Sequence, residues 1–108
     1  MSVDTTKMKL ATASPEEGLD FACHLIATAL SVEADAHPER ASRILGTFSQ
    51  YVVFRYVGEL ELAAEYLCDL GREISPVVSF QRQQFWHQLQ WVARTLGLPA
   101  QQYEEERR

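Results

Sequence analysis

The sequence predicts an all-α fold, a compact bundle of about four largely antiparallel helices. Three observations lead there. Four stretches place apolar residues at three- and four-residue spacing, the period of a helix with one buried face. Proline, glycine and capping residues punctuate the chain between those stretches. The connections are only a few residues long, which makes successive helices antiparallel neighbours.

The first helix starts at Ser14-Pro15-Glu16-Glu17. Ser14 is positioned to cap, Pro15 fits the first helical position, and Glu17 completes a capping box. Leu19, Ala22, Ile26, Ala29 and Leu30 then share a face with Leu25 beside them, and the helix is expected to end near Val32 or Ala34. His37-Pro38 marks the turn, because a residue before proline is pushed out of the α region.

A second helix is expected from about Glu39 to Val57, on the stripe Ile44, Leu45, Phe48, Val52 and Tyr56. Tyr51, Val53 and Phe54 broaden this stripe and suggest a helix buried on two sides. The β-branched and aromatic run from Tyr51 to Val57 also suits a strand, but the helical pattern continues unbroken from Ile44.

Gly58 interrupts the period. A third helix fits Glu59 to about Glu73, with Leu60, Ala63, Leu67, Leu70 and Ile74 on one face. Glu59 and Glu61 suit the positive end of its dipole and Arg72 the negative end. Ser75-Pro76 stops it. Ser79 is a candidate cap for the last helix, whose seam is Phe85, Leu89, Val92 and Leu96. Gly97-Leu98-Pro99 ends that helix, with glycine free to turn left-handed. Residues 1–13 show no sustained period and read as a frayed arm, residues 14–99 as the single domain, and residues 100–108 as a charged tail.

Of 108 residues, 46% are hydrophobic and 23% charged, enough for one ordinary core. The net charge of −5 and the scattered Lys and Arg provide no phosphate track, so nucleic acid is not an expected partner. An acidic domain suits a basic partner, whose encounter it accelerates, and −5 also serves simple solubility. No apolar run approaches the roughly 20 residues needed to cross a bilayer. The N-terminus lacks an apolar signal core, and a cytoplasmic location is expected. Cys23 and Cys68 read as small buried hydrophobes, with a disulfide not required.

The inventory for chemistry is thin. His24, His37 and His87 are far apart, and Asp20 with His24 supplies only two of the three or four ligands a metal site needs. The five glycines never cluster into a phosphate loop. No catalytic residue, metal or cofactor is implied. The informative feature is Glu61, Glu65 and Asp69 on the third helix, four residues apart and therefore one acidic stripe. Like charges at that spacing cost only a few tenths of a kcal/mol per pair, so the stripe is either a solvated face or a docking surface for a basic partner. Tyr66, on another face of the same helix, is suited to an interface or to the core. Arg55 is expected to meet Glu59 or Glu61 near the Gly58 turn. Trp86 and Trp91 are five apart and do not share one seam, and Trp91 is the better candidate for exposure and partner contact.

The stretch Gly58-Glu59-Leu60-Glu61-Leu62-Ala63-Ala64-Glu65-Tyr66-Leu67-Cys68-Asp69-Leu70, the Pro-Ser turn of Ser75-Pro76-Val77-Val78-Ser79, and the closing Leu96-Gly97-Leu98 together resemble small bacterial immunity proteins of the MafI type. The similarity covers about residues 58–99. Its last helix departs from the family, with Gln81-Arg82-Gln83-Gln84 and Phe85-Trp86 where acidic residues and tyrosine are common. The resemblance implies a cytoplasmic immunity protein that neutralises a cognate toxin domain, often a basic nuclease, by stoichiometric occlusion. The alternative is a helical adaptor or regulatory module that holds a partner in an apolar groove. The sequence does not specify an oligomeric state.

Overall fold

The computed structural model describes residues 14–105. The expected arm at residues 1–13 lies outside the described residues, as do residues 106–108. Four α-helices follow one another: α1 (Pro15–Ala36), α2 (Pro38–Val57), α3 (Leu60–Glu73) and α4 (Arg82–Thr95), then a single 3-10 turn at Ala100–Gln102. The all-α bundle expected from the sequence is the fold.

The capping box at α1 is complete. The Glu17 N–H donates to Ser14 Oγ at 3.2 Å, and the Ser14 N–H donates to Glu17 Oε1 at 3.4 Å. The helix runs on to Ala36, past its expected end, because only the proline at 38 stops it. His37 alone separates α1 from α2. Its φ of −131° breaks the helix, its N–H donates to the Glu33 carbonyl, and Pro38 opens α2. At the far end of α2, Gly58 takes φ +83°, and the Glu59 N–H returns to the Phe54 carbonyl at 2.9 Å.

Successive helices run antiparallel, as ties between opposite ends show. Arg55, late in α2, pairs with Asp20, early in α1, and Arg43, early in α2, pairs with Glu73, which ends α3. The most extensive contacts are α2 on α3 and α1 on α4, with α1 also reaching α2 and α3. Leu19, Ile26, Leu67, Leu70, Phe85, Leu89 and Val92 are fully buried where these faces meet. Each such side chain contributes about 1.5–3 kcal/mol by leaving water. Gly71 permits the closest approach of α3 and α4: a Cβ there would fall 2.5 Å from the Phe85 ring and 2.9 Å from Trp86.

Three sequence expectations are corrected. First, α2 is not buried on two sides. Only Ile44 and Tyr51 are buried, Phe48, Val52 and Phe54 are half-buried, and Leu45, Val53, Tyr56 and Val57 face solvent, Tyr56 at 84% exposure. α1 and α3 cover the inner side of α2, while α4 lies mainly on α1 and α3, so no element remains to cover its outer side.

Second, Ser79 does not cap α4, which begins three residues later at Arg82. The Arg82 guanidinium organises the preceding loop instead. It donates to the carbonyls of Ser75 (2.7 Å) and Val78 (3.3 Å) and lies over the Phe80 ring, which meets Phe85 edge-on.

Third, the packed body does not end at residue 99. At the end of α4, Gly97 takes φ +77°, with the Gly97 N–H donating to Arg94 and the Leu98 N–H to Ala93, a Schellman closure. The chain then turns back onto the bundle and buries Tyr103 to 4% exposure. Arg72 secures the segment by donating to the Gln102 carbonyl at 2.9 Å and the Glu104 carbonyl at 3.0 Å, and Gln90 donates to the Tyr103 carbonyl.

One buried charge has no precursor in the sequence pattern. Glu33, near the end of α1, is 0% exposed. Its carboxylate accepts from the Ser75 N–H (3.0 Å), the Ser75 hydroxyl (2.9 Å) and Arg40 (2.8 Å), which ties α1, α2 and the α3–α4 loop together. Burial acts to raise its pKa, but the two bonds from Ser75, the nearby His37 and Arg40 outweigh burial, and the net direction is downward. Cys23 is half-buried, and Cys68 is buried with its Sγ 3.9 Å from the Gln102 carbonyl.

Candidate protein-docking site

α3 buries one face and leaves the other charged. Ala63, Ala64, Leu67, Leu70 and Gly71 turn inward. Glu61, Glu65 and Asp69 all face solvent, as the four-residue spacing implies. At a rise of about 1.5 Å per residue, they span roughly 12 Å along the helix.

Placement of the arginines makes this stripe distinct. Arg40 serves Glu33, Arg43 serves Glu73, Arg55 serves Asp20, and Arg82 serves Glu105. The Arg55 pair is bidentate, with both contacts at 2.9 Å. It replaces the expected contact with Glu59 or Glu61, because the end of α2 lies against the first turns of α1. On the stripe, only Asp69 has a cationic neighbour, Arg72 at 4.0 Å. Among the described residues, Glu61 and Glu65 have none.

Tyr66 borders the stripe. It is half-buried, its ring stacked on Phe54 of α2 with centroids 5.5 Å apart and planes 7° apart. The structure therefore brings Glu61, Glu65, Asp69 and Tyr66 onto one helix, three of them fully presented and Tyr66 partly engaged in packing. Trp91 does not join them. It is half-buried on α4, where α1 approaches so closely that a Cβ on Gly18 would lie 2.8 Å from its ring. Trp86 is the buried one of the pair, and its indole N–H has no hydrogen-bond partner among the described residues.

Beside the stripe lies a cleft of about 500 Å³. Glu65, Cys68, Asp69 and Arg72 form its α3 wall, and residues 101–103 form the opposite wall. The sequence reading missed the second wall because it took residues 100–108 for a tail. A tyrosine within an otherwise polar stretch was the one available signal that the chain turns back. Tyr103 is almost wholly buried, and its carbonyl accepts from the Gln90 amide at 3.2 Å. Burial, then the charge of Glu65 and its neighbours Cys68 and Glu61, push its pKa up to about 12. The phenol therefore remains neutral.

Elsewhere the chemical inventory is sparse. His24 and His87 are exposed, and Asp20 is engaged by Arg55 rather than by His24. Among the described residues, no three His, Cys, Asp or Glu side chains are grouped to hold a metal ion, and no helix is long and apolar enough to cross a membrane. No protein-family model matches this chain, and no curated protein or solved structure does.

Proposed function

We propose that this chain is an immunity protein that neutralises a cognate bacterial toxin domain by covering a basic surface with the acidic face of α3. The observation that carries this reading is the exposed row Glu61, Glu65 and Asp69, in which only Asp69 has a cationic neighbour among the described residues, because most of the described arginines pair with carboxylates elsewhere. The motifs by which residues 58–99 resemble immunity proteins of the MafI type agree with it. A basic nuclease fits as the target, since its surface is already adapted to a polyanion. Inhibition would be occlusion, one to one, with no reaction catalysed by this chain.

The test is the triple reversal Glu61→Lys/Glu65→Lys/Asp69→Lys, measured against any candidate toxin domain found in a neighbouring reading frame. Association with the unaltered chain should slow steeply as salt rises, because exposed charges are screened beyond about 8 Å at physiological ionic strength. The reversed protein should keep its helical circular dichroism and lose affinity by a hundredfold or more. Unchanged affinity would remove the stripe from the interface.

One observation favours a second reading, a helical adaptor. Leu45, Val53, Tyr56 and Val57 present an apolar outer surface on α2. That surface, rather than a groove between helices, is where an adaptor would hold its partner. Binding that is indifferent to salt and lost on Tyr56→Ser would select the adaptor.

A further inference from the structure

We infer that the outer face of α2 pairs with the same face of a second copy of this chain, forming an antiparallel two-fold dimer. This goes beyond the reading of α3 and does not depend on it. A helix of 3.6 residues per turn brings Ser42, Leu45, Gly46, Ser49, Val53, Tyr56 and Val57 into one arc of roughly 120°. All seven are exposed, the four large ones strongly so: Leu45 at 63%, Val53 at 52%, Tyr56 at 84% and Val57 at 65%. None of the seven is charged, and the two arginines of the same stretch turn to other helices, Arg43 to Glu73 and Arg55 to Asp20. Glu39 and Glu59 bound the face at its ends. Along the stretch between them, two chains of net charge −5 set no carboxylate against another.

Area, a glycine and side-chain size select a second copy as the occupant. The four large apolar side chains present on the order of 500 Å² per copy, and with the serines, Gly46 and Gln50 the face approaches the roughly 800 Å² per partner of a standard interface. Gly46 is an independent sign. Glycine inside a helix is costly, and the chain's own packing does not require this one, since a Cβ there would meet no atom within 4 Å. Gly18 and Gly71 differ: a Cβ would fall 2.7 Å from Val92 and 2.5 Å from Phe85. What Gly46 permits is the close approach of another backbone from outside. Side-chain size sets the direction. In an antiparallel pair about a two-fold axis at Ser49, the large Tyr56 of each copy faces the small Ser42 of the other, and Leu45 faces Val53. Gly46 and Ser49 lie at the centre, where the backbones come closest. A parallel pair would set Tyr56 against Tyr56 and serine against serine, bulk beside gaps, which close packing disfavours. Every contact falls on α2, so the row Glu61, Glu65 and Asp69 takes no part.

Sedimentation equilibrium of the full chain across micromolar concentrations reads the result. The mass should rise from one 12.3 kDa chain toward two, with a dissociation constant in the micromolar range. Added salt should strengthen the pair, because apolar contact holds it against like net charge, the opposite of the salt dependence expected for the toxin complex. Val53→Glu puts a charge at the centre of the face and should weaken the dimer at least about tenfold while leaving the helical circular dichroism intact. Gly46→Leu makes the face more apolar without a clash inside the chain, yet should also weaken the dimer about tenfold by holding the backbones apart. Ser49→Cys should cross-link across the two-fold axis under mild oxidation, with the unaltered chain as the control for Cys23 and Cys68. Val57→Cys, roughly 24 Å from its counterpart along an antiparallel pair, should not. A chain that stays monomeric throughout, or an association indifferent to Val53→Glu, overturns the pairing. A tighter dimer on Gly46→Leu overturns the close approach, and equal cross-linking at positions 49 and 57 overturns the antiparallel direction. A monomer that takes up a foreign helix, and loses it on Tyr56→Ser, assigns the face to the adaptor's partner and overturns the pairing too. The triple reversal on α3 leaves this face untouched, so the dimer and the toxin-docking reading fail separately.

Discussion

Replacing Glu33 by glutamine removes one charge and preserves shape, which makes it the most exacting test of the packing. The carboxylate receives three hydrogen bonds: two from Ser75 at 3.0 and 2.9 Å and one from Arg40 at 2.8 Å. An amide oxygen can still accept from Ser75. The amide nitrogen then faces Arg40, so donor meets donor and the charge-assisted bond is lost. Such a bond is worth about 1.5–3 kcal/mol, and an uncompensated donor adds about 1 kcal/mol or more. Glu33→Gln should therefore cost about 2–4 kcal/mol, a large part of the roughly 5–15 kcal/mol that holds a domain of this size. Urea unfolding at neutral pH measures it. The pH dependence supplies the sign. The folded pKa of Glu33 lies below its ordinary value, so its stabilisation is present above the unfolded carboxylate pKa and is lost as pH falls through the folded value. The gap between native and variant proteins should thus be widest near neutrality and shrink below about pH 4. A cost under about 0.5 kcal/mol with an unaltered acid slope would refute the claim that Glu33 ties the three elements together.

Two further outcomes separate structure from function on α3. Neutralising the stripe as Glu61→Gln/Glu65→Gln/Asp69→Asn removes two like-charge pairs, each costing about 0.2–0.5 kcal/mol, and one long exposed ion pair of little value. Thermal or urea unfolding should show the variant as stable as the native chain or slightly more so, and a loss above about 1 kcal/mol would make the stripe structural. Gly71→Ala gains up to about 1 kcal/mol of helix propensity but drives a methyl to 2.5 Å from the buried Phe85 ring. A net loss of about 1–3 kcal/mol in urea is expected, and a more stable variant would mean that α3 and α4 separate without penalty.

The legible parts of the fold were those written in local grammar. Ser14, Pro15 and Glu17 announce a helix start through bonds made within four residues, and Gly97 announces an end through its own backbone freedom. The spacing of Glu61, Glu65 and Asp69 likewise required only a helix to become one exposed face. What escaped depends on partners remote in sequence. Glu33 is enclosed by Ser75, 42 residues away, and Tyr103 packs on α3 and α4 after a turn that composition disguises as a tail. The outer side of α2 misled for the opposite reason. Its residues are apolar enough for a core, but burial requires a neighbouring element, and α4 is occupied on α1 and α3.

The distribution of arginines connects the stability of this bundle to its proposed role. Arg40, Arg43, Arg55 and Arg82 each bridge elements that are distant in the chain, and each uses a carboxylate to do so. A small acidic protein that invests its cations in cross-links leaves its surplus carboxylates wherever no cross-link is made. On α3 that place is the face opposite the core, beside the cleft that residues 101–103 close. The negative field on α3 therefore follows from where the bundle places its ties. Disrupting one of them, for example by Asp20→Asn, would free Arg55 at the far side of the molecule without adding charge to the stripe. Moving a further cation onto the exposed face of α3 would erase the field. The proposed docking face is in this sense defined by where the arginines are absent as much as by where the glutamates stand.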